Sequence, residues 1–330
     1  MRNSSLTKNF RNLSLLVLGS LVGSLALAQA GGSYPSKSVT LVVTYPPGGG
    51  ADAMARLLAP KMSEALGQNV VVDNKPGAGG QIGAAAVAKA APDGYTLMLD
   101  ASSFAVNPSL YPKLPYDPMK AFKPIGVVAL FPNVVLVNAN FSAQNVADLI
   151  SIAKKTKDSV SYASSGNGSA QHLAGALSES ATGVDMVHVP YKGGGPALND
   201  VIGGQVPLFF GNLASTLQHV QSGKLRALAV TSAKRSQILT GVPTLSEVGV
   251  KGAEIYEWNA VFVPAGTPQA VVSKIASAFQ HALDAPEVKQ RIAQLGGEIQ
   301  RSSPEQSQAF IEQQVTLWGR VIKERKITTE

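Results

Sequence analysis

The chain has 330 residues, room for one large domain or two ordinary ones; 45% of them are hydrophobic and only 15% carry charge, against roughly 25% in typical soluble domains. The formal charge is +7, with no basic tract that would suit nucleic acid, and there is no cysteine. That excludes disulfides, thiolate metal sites, a cysteine nucleophile and a lipidated N-terminal cysteine.

Taken in chain order, Arg2, Lys8 and Arg11 precede an apolar run from Leu13 to Leu27, and Ala28-Gln29-Ala30 closes it with small residues at a cleavage spacing. This reads as a secretory signal peptide over residues 1–30. Three basic residues and no acidic one leave with it, so 25 basic residues face 21 acidic ones and the charge falls to +4. No later run is long enough to span a bilayer. The expectation is a soluble, periplasmic protein that is not a lipoprotein.

Val39–Thr44 is a β-branched run bounded by turn residues, which predicts a buried strand. A helix follows over Asp52–Leu66, with Asp52 as expected N-cap and Gly67 as stop. Strands over Val70–Asp73 and Tyr95–Leu99, with a helix over Ile82–Ala90, complete a βαβαβ unit and predict a parallel sheet. Pro112, Pro115, Pro118 and Pro124 then mark an extended or turning stretch. A second α/β unit reads as strands over Val134–Val137, Val160–Ala163, Val187–Pro190, Leu208–Phe210 and Leu225–Thr231. Its helices run over Val146–Lys154, Gln171–Ser180 and Pro196–Ile202. Helical spacing returns over Val271–Leu283, Glu287–Leu295 and Pro304–Lys323. Two α/β units suggest two lobes with a cleft between them.

Three times a strand leads through a glycine-rich turn into a helix: at Pro46-Pro47-Gly48-Gly49-Gly50, at Ser164-Ser165-Gly166-Asn167-Gly168-Ser169 and at Tyr191-Lys192-Gly193-Gly194-Gly195. Unpaired N–H groups and the helix dipole make such turns anion sites, each interaction worth about 0.3–1 kcal/mol when exposed. Converging on one cleft, they would hold a carboxylate. The alternative is that the glycines only permit tight turns. Gly48-x-Gly50-x-x-Ala53 with Asp73 also fits a dinucleotide fingerprint. Against it stand the two prolines before the glycines, the second glycine loop after Asp73, and export away from cofactor pools. No P-loop, G-x-S-x-G elbow or H-E-x-x-H occurs. Ser151-Ile152-Ala153-Lys154 is S-x-x-K without its partner motifs. His172, His188, His219 and His281 form no metal spacing. His172 reads as a structural or helix-start histidine or a ligand contact, and Lys192 as a cleft cation or a solvated loop residue. No nucleophile–base pair or carboxylate pair appears, so the reading is binding and not catalysis, with no cofactor and no metal.

The same motifs, in the same order, resemble the tripartite tricarboxylate transporter substrate-receptor family, the Bug or TctC-like periplasmic binding proteins. The resemblance runs from Tyr34-Pro35-Ser36-Lys37 through Pro47 to Asp52, Asn74 to Gly80, Ala91-Pro92-Asp93-Gly94-Tyr95-Thr96 and Asn107-Pro108-Ser109-Leu110-Tyr111. It continues with Ser164 to Ser169 and His172-Leu173, Val189-Pro190-Tyr191-Lys192-Gly193, Gly203-Gly204-Gln205-Val206, Gly223 to Ala229 and Pro264-Ala265-Gly266-Thr267-Pro268. It implies a two-lobed, venus-flytrap fold of the type II periplasmic class, each lobe a mixed or parallel sheet flanked by helices. Lobe 1 would take 34–132 and 256–330, and lobe 2 would take 133–255. A small carboxylate would bind between them for delivery to the membrane permease subunits of a tripartite transporter, or be reported to a sensor kinase, by a monomeric receptor.

Carried over, Tyr45, Pro47, Gly48, Gly49, Gly50 and Asp52 form a first grip on the ligand. Ser164, Ser165, Gly168 and Ser169 form a second. Tyr191, Lys192, Gly193 and Asp200 lie on the third loop and its helix, and Ser102, Ser103 and Asn107 line the cleft. Tyr45 replaces a frequent Phe, and Pro207 and Gly211 stand where acids are frequent. The resemblance therefore argues against a cationic, amino-acid-like ligand and for an uncharged or anionic tail.

Overall fold

A computed structural model describes residues 34–328. The chain divides into Met1–Ser36 and Lys37–Glu330. The second unit carries all the strands and helices named below, and the expected signal peptide lies outside the described residues. Among those residues no helix is long and apolar enough to cross a membrane.

Val39–Val43 (β1) pairs in parallel with Val70–Asn74 (β2) on one side and Thr96–Ala101 (β3) on the other. Gly50–Leu66 (α1) and Gln81–Ala88 (α2) make the crossovers, as the βαβαβ reading requires. α1 begins two residues before the expected cap. Gly49 is its N-cap and offers no side chain, while Asp52 sits in the first turn. At the far end Gly67 takes a left-handed φ of 71°, the ordinary glycine stop.

The proline-rich stretch and the segment just before it hold more regular structure than the sequence suggests. Ser103–Leu110 is a helix (α3), Pro118–Ala121 a short turn (α4) capped by Asp117, and Phe122–Asn138 (β4) a strand of 17 residues. Pro124 is tolerated in β4 because its pairing with Tyr256–Pro264 (β9) slips between Pro124 and Gly126. Pro132 sits where β4 changes partners. Up to Pro132 it pairs with β9; from Asn133 it pairs with Leu208–Asn212 (β7) and Leu225–Val230 (β8). β4 thus belongs to two sheets. One runs β2-β1-β3-β9-β4, with Glu298–Ile299 (β10) added to β4. The other continues from β4 through β7 to Ser161–Ser164 (β5) and Val187–Pro190 (β6), which run parallel to each other.

Val146–Lys155 (α5), Ala170–Thr182 (α6), Gly194–Ile202 (α7) and Leu213–Gln221 (α8) flank the second sheet. Gln269–Asp284 (α9), Pro286–Gln294 (α10) and Pro304–Arg325 (α11) follow β9. β9 escapes the sequence reading because it is buried on both faces from Trp258 onward, so it shows no period-two alternation. Behind it α11 starts on a capping box of Ser303 and Gln306 and packs on α3 and β4. Trp258 and Trp318 are fully buried there. Both indole N–H groups donate to Gln314 Oε1, at 3.4 and 3.2 Å, so one amide oxygen satisfies two donors that would otherwise be costly to bury.

Candidate ligand site at three glycine loops

The first loop stands on a charged footing. Asp52 is 4% exposed. Its Oδ2 accepts from the Gly48 N–H and from Arg56 Nε, both at 2.9 Å, and its Oδ1 from Asn74 Nδ2 at 3.0 Å. Burial opposes ionisation of Asp52, but the bonds from Arg56, Gly48 and Asn74 outweigh it and hold the carboxyl below the usual carboxylate range. Asn74 also donates to the Tyr45 carbonyl at 2.9 Å. Asp52 therefore spends both oxygens on fixing the loop from within. Pro47, Gly48, Gly49 and Gly50 remain exposed above it.

Tyr45 points down from the same loop and its hydroxyl bonds the Ser103 hydroxyl. Burial pushes the Tyr45 phenol far above its ordinary value, reinforced by Asp100. Ser102 is buried at the N-cap position of α3 without a side-chain cap bond. Asn107 is buried and donates to the Gly79 carbonyl at 3.0 Å. Asp73, the acid of the dinucleotide fingerprint, pairs with Lys75 at 3.0 Å.

The second and third loops are bonded to each other: the Tyr191 N–H donates to the Ser164 carbonyl at 3.1 Å and the Gly193 N–H to the Ser165 carbonyl at 3.2 Å. Neutral rings support them. His172 and His188 stack with centroids 3.8 Å apart and 7° between planes. Ser164 Oγ bonds His188 Nε2 at 2.6 Å, and His172 Nδ1 accepts from the Gly168 N–H at 3.1 Å. Desolvation lowers both imidazoles, His172 to about 3, helped by His188, and His188 to about 4. His172 is thus a structural histidine that holds the loop. Ser169 is the N-cap of α6, accepting from the His172 N–H at 3.2 Å. Gly168 has φ of 74°, and a Cβ there would run into Leu110 and crowd Val106 of α3. On the third loop Tyr191 donates to Asp200 Oδ2 at 2.7 Å; desolvation and Asp200 push its phenol up to about 12. Lys192 is exposed.

Glu257 on β9 links the loops. Its Oε2 accepts from Gln171 Nε2 and Asn212 Nδ2, each at 3.0 Å. Its Oε1 lies 3.9 Å from where a Cβ on Gly50 would stand. Burial raises the Glu257 carboxyl, and the two amides pull it back only in part. The start of α1 is thereby brought near the start of α6. Gly194, at the start of α7, lies against Ser165 Oγ. α1 and α7 both begin on glycines with no side-chain cap, so their first N–H groups are open.

The sequence reading misses two acids, one half-buried and one buried. One is Glu257. The other is Asp100, fully buried, whose Oδ1 accepts from Thr44 Oγ1 and the Ala101 N–H, each at 2.7 Å, and which desolvation raises to about 7. Among the described residues the buried side-chain atoms without a partner are Asp100 Oδ2, Gln81 Nε2, Asn133 Nδ2 and Asn259 Nδ2. Gly211 has a packing reason: a Cβ would strike the Phe209 ring and Thr216, so an acid does not fit there. No His or acid cluster of metal-binding size occurs among the described residues.

The family pattern described as "Tripartite tricarboxylate transporter family receptor" matches residues 54–327. The chain is 36% identical to Protein BugT of Bordetella pertussis over 314 residues, 94% of this chain and 96% of BugT. It superposes on R. palustris Rpa4515 with adipate at a TM-score of 0.83 and 36% identity, covering 89% of this chain and 99% of that one. For MatC of Rhodopseudomonas palustris with bound malate the values are 0.80 and 31%, covering 88% and 100%.

Proposed function

The chain belongs to the tripartite tricarboxylate transporter receptor family, and from that premise we propose that it is a periplasmic receptor for a small carboxylate. It acts as a monomer, without catalysis or cofactor, and delivers the ligand to the membrane subunits of a tripartite transporter. The observation that carries this reading is the meeting of three helix starts, α1, α6 and α7, around the glycine loops, two of them with open N–H groups. Such a cradle suits an anion. Adipate and malate in the two superposed relatives are carboxylates of this kind. The proposed jaws are 34–132 with 256–330, and 133–255. Support comes from β4, which exchanges β9 for β7 and β8 between Pro132 and Asn133, and from β9, which begins at Tyr256. Closure is then a population shift, since a ligand bridges both jaws only when they meet. The first grip is the loop Tyr45–Gly50, held by Asp52. The second is Ser164, Ser165, Gly168 and Ser169 with Tyr191, Lys192, Gly193 and Asp200. Ser102, Ser103 and Asn107 lie behind the first.

Thermal unfolding against di- and tricarboxylates, aromatic acids, amino acids, amides and NAD tests the reading. A ligand at about 100 times its Kd adds about 2.7 kcal/mol, several degrees in a chain this size. The expected result is a shift with one carboxylate class and none with NAD. A shift with NAD alone would return the dinucleotide reading of Gly48–Ala53.

A further inference from the structure

Glu257 is an unusual group to find between two anion grips. Both amides that reach it, from Gln171 and Asn212, go to Oε2; Oε1 accepts no hydrogen bond from the described residues and faces Gly50. The partners of Oε2 are themselves held. Gln171 Nε2 also donates to Asn133 Oδ1 at 3.2 Å, and Asn212 Oδ1 caps α8 through the Ala214 N–H at 2.9 Å. The carboxylate is therefore fixed in place with one oxygen open, and no cation neutralises it in any ion pair of the described residues. Beside it are two unsatisfied donors: Asn133 Nδ2, in the same amide chain, and Asn259 Nδ2, two residues along β9 and so on the same face.

A second ligand carboxylate placed at Oε1 would meet like charge in a partly desolvated site. A hydroxyl or ammonium would pair with it. We infer that Glu257 Oε1 is the acceptor for a hydrogen-bond donor carried by the ligand, so that this receptor selects hydroxy- or amino-carboxylates over their unsubstituted counterparts. This rests on the receptor reading above and names its ligand class more narrowly. It also reopens the amino-acid-like ligands that the missing acids at Pro207 and Gly211 argue against, because the acid is supplied from β9 instead.

The experiment is calorimetry of the purified protein with matched trios: succinate, malate and aspartate; glutarate, 2-hydroxyglutarate and glutamate; adipate, 2-hydroxyadipate and 2-aminoadipate. One charge-assisted hydrogen bond corresponds to roughly ten- to hundred-fold in Kd. The expected result is that within the trio of best-fitting length a donor-bearing member binds wild type at least about ten-fold tighter than the unsubstituted acid, and that Glu257→Gln brings the ratio to within about three-fold. Preference for the amino acid identifies an ammonium, preference for the hydroxy acid a hydroxyl. Equal or tighter binding of the unsubstituted acid by wild type overturns the inference and leaves the receptor intact, as does a ratio that Glu257→Gln leaves unchanged. Binding of no trio member overturns this inference alone; the carboxylate reading falls only if the tricarboxylates and aromatic acids of the thermal panel also fail to bind. The wild-type comparison needs no variant, so it stands even if Glu257→Gln fails to fold.

Discussion

Asp52 under the first glycine loop and the His172–His188 stack under the second do the same mechanical work with opposite electrostatics. Asp52 is a buried ion whose three donors keep it charged. The histidines, one buried and one half-buried, are bases that desolvation keeps neutral. The packing differs as well. Gly48 has open space where a Cβ would stand, whereas Gly168 is pressed against Leu110 and Val106 of α3. The first loop is fastened from below and free above; the second is wedged. A loop can be held still by charge where water reaches it, but one lodged against an apolar helix needs neutral partners, because an uncompensated charge there is expensive.

The largest effect that bears on this contrast is steric. Gly168→Ala combines a left-handed φ with a clash and should destabilise by about 2–4 kcal/mol, read by denaturant unfolding. Gly48→Ala, also at positive φ but in open space, should cost only about 1 kcal/mol. Equal costs would remove the wedge.

The next test is by pH. The histidines titrate lower in the folded chain than the ordinary 6.5, so the unfolded chain takes up protons first. Their contribution is intact above pH 6.5 and is lost as pH falls towards about 4 for His188 and about 3 for His172. Asp100, behind the first loop near Tyr45 and Tyr116, titrates higher when folded, about 7 against 3.8. Its contribution is fullest below pH 3.8 and is lost as pH rises to about 7. Melting temperature against pH should therefore show opposite changes in two variants. Asp100→Asn gains over wild type at pH 8 and surrenders that gain on acidification. His188→Gln is less stable at pH 8 but declines less from pH 7 to 5. Parallel curves would erase the distinction between the loops.

The smallest effect is local. Asp52→Asn keeps an acceptor but loses the ion pair with Arg56, and should cost about 1–2 kcal/mol in denaturant unfolding. A neutral result would mean the loop does not depend on charge.

The loops themselves are legible in the sequence because clustered glycines interrupt β-branched runs, and that punctuation is local. The first βαβαβ unit is legible for the same reason. What fixes the loops is not. Gln171 and Asn212 meet Glu257 across 86 and 45 residues, and Thr44 meets Asp100 across 56, distances at which no spacing rule operates. β9 hides because it is buried on both faces, and α3 because Pro108 lies inside it. Asp52 reads as a cap because an acid at a helix start ordinarily is one; the structure moves the cap to Gly49 and turns Asp52 back onto Gly48.

The shared acceptor Gln314 has an optical consequence. The chain has two tryptophans, and both meet at that single amide oxygen. The tryptophan emission of the protein therefore comes from one place, the seam between α11 and β9. Peeling the C-terminal helix away would change all of it at once, while fraying at the distant edge strands β2 and β6 would leave it unchanged. Trp258 also stands between Glu257 and Asn259 on β9, so the same light is a built-in reporter on the strand that carries the open carboxylate.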